Sequence, residues 1–109
     1  MAEIHDTGPI TPREKKMFEQ EYKHGAALFQ KALDQCAKSH NPYQQEQFGE
    51  VMHKAMQVLN QAAKELKRKD LMEQNKQIAQ DYKAYQDHPT GSAKDKLNQD
   101  LDKAKKAIG

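Results

Sequence analysis

Two short runs carry the residue types of a metal centre: Glu21-Tyr-Lys-His24 and Glu50-Val-Met-His53 both read Glu-x-x-His. On a helix that spacing sets a carboxylate and an imidazole on one face, as in carboxylate-bridged di-iron bundles. Such a site must point into the bundle and needs two further Glu from other helices. The helical phase instead turns Glu50, His53 and His24 outward, where surface residues of a Gln- and Lys-rich helix belong. Cys36 with His40 one turn later has the types of a thiolate and its base, or of half a zinc site. Two ligands are too few for zinc and no oxyanion-stabilising loop stands near, so a small core thiol near a helix end is the plainer reading. Lys64, Lys67, Arg68 and Lys69, and later Lys103, Lys105 and Lys106, have the charge to touch phosphate. Acids sit among them and no aromatic platform is interleaved, which favours a solvated helix face over a nucleic-acid surface. His5 and His88 are scattered. No catalytic constellation emerges, and neither an enzymatic activity nor a cofactor is expected.

Composition fits that reading. The 109 residues suffice for one domain, but with 36% apolar and 6% aromatic residues and no Trp the core must be slender. Lys plus Arg (18) nearly balance Asp plus Glu (16), and a net charge of +2 gives no strong electrostatic grip on nucleic acid. The single cysteine has no internal partner and suits a reducing compartment. No secretory signal opens the chain and no apolar run approaches the ~20 residues of a membrane span. The cytoplasm is the expected location, although export by a route without a cleavable signal would leave the same sequence.

The elements that must position these residues are helices. Residues 1–10 carry Gly8 and Pro9 with few apolar anchors and are expected to form a flexible arm; residues 11–109 form a single helical domain. Thr11, Pro12 and Glu14 make a capping box that starts a helix of about 12–39, with Phe18, Tyr22, Gly25, Phe29, Ala32 and Cys36 on one face. Gly25 costs ~1 kcal/mol relative to Ala, so it either marks a close backbone approach or is tolerated. Asn41-Pro42 then caps a second helix, and a connection so short allows only an antiparallel return. That register pairs Phe29 with Met52, Ala26 with Ala55 and Tyr22 with Leu59.

Between Pro42 and Asp87 only Gly49 interrupts the pattern, so the spacing predicts one long helix that outlasts its first partner by about five turns. Past Leu66 the apolar phase shifts, and Asp70 with Glu73 offers a competing start for a new helix. His88-Pro89-Thr90-Gly91 is a turn, and Ser92 with Asp95 caps a last helix of about 93–108 that folds back along the far half of the long one. The expected fold class is all-α: an antiparallel hairpin with a long central helix and a short C-terminal helix folding back, dimerising as a helical bundle.

Lys31-Ala-Leu-Asp-Gln-Cys-Ala-Lys-Ser-His-Asn-Pro42, followed by a Gln-rich helix, resembles the helix-turn-helix of type III secretion needle subunits and their small helical chaperones. The likeness covers about a fifth of a chain that is longer than such subunits and lacks the needle family's second turn proline. It implies a self-assembling helical subunit or a small chaperone.

A two-helix seam does not hide a stripe that includes Leu28, Leu33, Val51, Met56, Val58 and Ala63. Company is therefore expected, either a second copy or another protein's helix. Ile78, Tyr82, Tyr85 and Met72 lie on the part of the long helix that the first cannot cover and, with Val51 and Val58, are the candidate partner-binding residues. The leading reading is a non-enzymatic helical interaction module, adaptor or chaperone-like. A self-assembling structural subunit of a secretion-type or other helical assembly is the alternative, ahead of a metal-binding bundle and a nucleic-acid-associated protein.

Overall fold

The computed structural model describes residues 10–108, so nine of the ten positions assigned to the flexible arm lie outside the described residues. Four helices and no strand make up the described chain: α1 (Pro12–Lys38), α2 (Pro42–Leu66), α3 (Lys69–Asp87) and α4 (Gly91–Ile108). The start of α1 follows its sequence. The Thr11 hydroxyl accepts from the Glu14 amide at 3.1 Å while the Glu14 carboxylate accepts from the Thr11 amide at 3.0 Å, satisfying two orphan donors. Asn41 caps α2 through its side-chain oxygen, which accepts from the Tyr43 amide at 2.9 Å. The cap of α4 is not Ser92. Thr90 accepts from the Ala93 amide at 3.1 Å, and the helix opens two residues earlier than expected.

The single long helix over 42–87 is overturned. Lys67 takes φ 55°, and α2 ends there in a Schellman turn: the Arg68 amide donates to Ala63 O at 3.2 Å and the Lys67 amide to Lys64 O at 3.1 Å. An unbroken helix of that length would run about 69 Å, whereas the molecule is 50 Å in its longest dimension. The break falls where α1 runs out of residues to cover the apolar stripe, so the chain turns back across the other side of the hairpin. Arg68 opens α3 without a side-chain cap; Asp70 accepts from its guanidinium at 2.8 Å and sits in the first turn, where the helix dipole favours a negative charge.

All four neighbouring pairs run antiparallel. Gly25 faces Val58 and Ala55 between α1 and α2; Asn75 reaches Leu59 and Tyr82 reaches Gly49 between α3 and α2. Gln74 reaches Asp100 between α3 and α4, and Gln30 reaches Asn98 between α1 and α4. The diagonal pairs, α1 with α3 and α2 with α4, have no close backbone approach, so the contacts fit a four-helix bundle. Tyr22, Phe29, Leu33, Met52, Leu59, Leu71, Ile78, Leu97 and Leu101 fill its centre and are fully buried. Leu71, Ile78, Leu97 and Leu101 of α3 and α4 cover the apolar stripe of the α1–α2 hairpin. Gly25 proves to be a close approach, because a Cβ there would stand 3.0 Å from Val58 Cγ1.

Candidate functional site

The residues nominated for partner binding divide sharply by burial. Ile78 is fully buried and Tyr85 is 7% exposed, so both belong to the chain's own core. Tyr82 is half-buried; its ring stands edge-on to Phe29, centroids 5.2 Å apart, and its hydroxyl donates to Gly49 O at 3.4 Å. Burial pushes the Tyr82 and Tyr85 hydroxyls above their ordinary pKa. Met72 and Val51 are half-buried and pack against the core. These corrections share one cause: the turn at Lys67 folds α3 inward, and the face that looked uncovered becomes the fourth wall of the bundle.

Val58 is different. It remains 38% exposed, and with Met17 at 47% it forms the apolar floor of a groove along the outer face of the α1–α2 hairpin. Gln20, Glu21 and His24 line the α1 side, and Lys54, Gln57 and Gln61 the α2 side. Close approach at Gly25 sets the depth of this groove, since it lets α2 ride near the α1 backbone while Val58 leans outward over it. Sequence periodicity assigned Met17 to no stripe, and its exposure follows from its lying one residue off the face that begins with Phe18.

The chemistry-bearing pairs are placed on the surface or in structural contacts. Glu21 and His24 belong to the groove wall, and Glu50 and His53 are exposed on α2. Among the described residues no three His, Cys, Asp or Glu side chains gather as metal ligands would. Cys36 donates weakly to Gln45 O at 3.8 Å beside a cleft at the end of the bundle, where His40, Tyr82, Tyr85 and Lys94 also stand. Burial pushes the thiol pKa up, opposite to what an activated nucleophile needs. Arg68 donates to Asp70 and to Ala107 O at 3.1 Å, and Lys105 to Gln30 at 2.6 Å, so two of the basic residues are committed to holding the fold.

Two polar arrangements lie inside. Tyr22 donates to Asn75 Oδ1 at 2.7 Å, and Asn75 Nδ2 donates to Leu59 O at 3.0 Å, joining α1, α3 and α2 at the centre. Asp81 on α3 and Asp100 on α4 are each 6% exposed, and Oδ2 of Asp100 is buried without a hydrogen-bond partner. Both arrangements occupy apolar-stripe positions: Asn75 follows Leu71 by four, Asp81 follows Ile78 by three and Asp100 precedes Leu101. A polar residue in phase with a core stripe was the available signal.

No helix among the described residues is long and apolar enough to cross a membrane. No family model, curated protein or solved structure matches the chain.

Proposed function

We propose that this chain is a non-enzymatic helical interaction module whose docking surface is the α1–α2 groove, and that its occupant is an amphipathic helix of another protein. The carrying observation is that Met17 and Val58, two of the three large hydrophobic side chains left exposed among the described residues, lie together in one groove, the third being Tyr43 near the start of α2. A groove between two helices accepts a third helix by ridges into grooves, with apolar anchors at helical spacing. The rim sets the partner's charge. Lys54 on the α2 edge suits a carboxylate on the incoming helix, and Glu21 on the α1 edge suits an amine or guanidinium, while Gln20, Gln57 and Gln61 offer neutral hydrogen bonds. Fully burying a valine contributes ~1.5 to 3 kcal/mol, and with 38% of Val58 left to cover, its loss weakens such a complex about three- to sevenfold.

NMR titration of the full chain with synthetic amphipathic helical peptides, acidic along one edge and basic along the other, tests this reading. Perturbations centred on Met17, Gln57 and Val58, lost in Val58→Lys, support it. The same peptides producing no perturbation, or perturbing α3 and α4 instead, overturn it. Sedimentation run alongside gives the other occupant its chance: a dimer abolished by Val58→Lys assigns the groove to a second copy of this chain.

A further inference from the structure

Asp81 of α3 and Asp100 of α4 are both buried in the α3–α4 seam, where two ionised carboxylates repel in a largely dry setting, so one of them holds a proton. Their surroundings decide which. Asp81 accepts from Gln77 Nε2 at 3.2 Å and has the Lys96 ammonium 3.5 Å from its Oδ1. Asp100 makes no such hydrogen bond or ion pair, Lys96 and Lys103 acting on it only through their charge, and its Oδ2 is buried without a hydrogen-bond partner. The negative charge therefore rests on Asp81 and the proton on Asp100.

We propose that the proton on the buried Asp100 carboxyl is a pH-sensitive latch on α4, closing the last helix onto α3 when Asp100 is protonated and loosening it when Asp100 ionises. Lys96 and Lys103, on α4 itself, are the cations that act on Asp100; from α3 the facing groups are Asp81 and Gln77, with Gln74 donating to the Asp100 backbone carbonyl at 2.9 Å. On the other side of α4, Gln30 of α1 reaches Asp102 and Lys105, and Asp34 pairs with Lys94 at 3.0 Å. These contacts flank α4, whereas the acid pair sits beside the Leu97 and Leu101 stripe that closes the core. Ionisation places two like charges within a largely dry seam, and α4 is the element joined to the rest by a single turn.

The direction follows from linkage. Burial, then the neighbouring Asp81 carboxylate, push Asp100 up to about 7 from its ordinary 3.8. A folded-state pKa raised in this way gives stability that is full below the ordinary value and is lost as pH rises through about 7. Asp81 is held below the ordinary carboxylate range by the protonated Asp100 carboxyl, by its hydrogen bond from Gln77 and by Lys96, against the opposing effect of burial, so its contribution is lost only as the solution becomes strongly acidic.

Hydrogen exchange of α4 backbone amides in the full chain, corrected for intrinsic rates, reads the latch. The opened population is expected to be about tenfold or more greater near pH 8 than near pH 5.5 in the wild-type chain. In Asp100→Asn the side chain is neutral at every pH, and the profile becomes flat. Asp81→Asn removes the like charge and shifts the wild-type transition to lower pH. A change smaller than about twofold in the wild type, or a full pH dependence surviving in Asp100→Asn, overturns the proposal. Carbon-13 titration of the wild-type carboxyls needs no variant to fold: Asp100 titrating near neutrality supports the latch, and Asp100 titrating as an ordinary carboxylate overturns it.

Discussion

The Tyr22 hydroxyl and the Asn75 amide, on helices that are diagonal to one another and share no close backbone contact, are joined by a 2.7 Å hydrogen bond through the centre of the bundle. Because Asn75 in turn donates to Leu59 O, one buried chain of polar groups fixes the rotation of three helices. Burial pushes the Tyr22 hydroxyl well above its ordinary pKa, so it remains a donor throughout the working range.

Removing only the hydroxyl leaves Asn75 Oδ1 buried and unpaired. Tyr22→Phe is therefore expected to destabilise the fold by about 1 to 3 kcal/mol, measured by urea denaturation. Replacing both partners, in Tyr22→Phe with Asn75→Leu, recovers most of that loss, and a double variant as weak as the single one would remove the network from the account.

Lys67 holds a left-handed conformation that favours glycine. Lys67→Gly should raise stability by about 0.5 to 1 kcal/mol, the relief of backbone strain exceeding the added freedom of the unfolded chain. If Lys67→Gly instead lowered the melting temperature, the α2–α3 turn would have to be something other than this left-handed stop.

The glycines of the hairpin are expected to respond in opposite directions. Nothing stands within 4 Å of a Cβ at Gly49, inside α2, so Gly49→Ala gains helix propensity of about 1 kcal/mol and about 4 °C in melting temperature. A leucine at Gly25 meets Val58 and forces the hairpin apart, a loss of about 1 to 3 kcal/mol. Thermal melts of the two variants side by side check both signs.

Ile78 and Val58 separate fold from surface. Ile78→Ala opens a cavity among fully buried side chains and is expected to cost about 2 to 5 kcal/mol. Val58→Lys loses only the packing of a partly exposed side chain over Gly25 and is expected to cost about 1 kcal/mol, less than Ile78→Ala. Circular dichroism during chemical unfolding distinguishes them, and equal losses would place Val58 in the core.

Much of this architecture was legible from local chemistry. The capping box at Thr11, the Asn41-Pro42 start and the four-and-three spacing around Phe29 and Met52 each depend on neighbours in sequence, and all reappear in the fold. The turn at Lys67 was not plainly legible as a break because its left-handed position carries a lysine, so the usual glycine or asparagine mark is missing; the phase slip after Leu66 and the competing helix start at Asp70 and Glu73 were its signs. That one unmarked position turned an expected extended helix into two and sent Ile78 and Tyr85 from the proposed surface to the interior. The pairing of Asp81 with Asp100 depends on how α4 registers against α3, and two acids in charged stretches give no local sign of it beyond their phase with the stripe.

The ring of helices is completed by contacts between its first and last members: Gln30 with Asn98 and Asp102, and Asp34 with Lys94, bridge residues 60 to 72 positions apart. Closing so long a loop is slow compared with zipping the α1–α2 hairpin, so assembly has a natural order in time, hairpin early and lid last. On the ribosome the nascent chain must wait for α4 with Leu71 and Ile78 bare, an interval in which aggregation or a passing chaperone competes with completion.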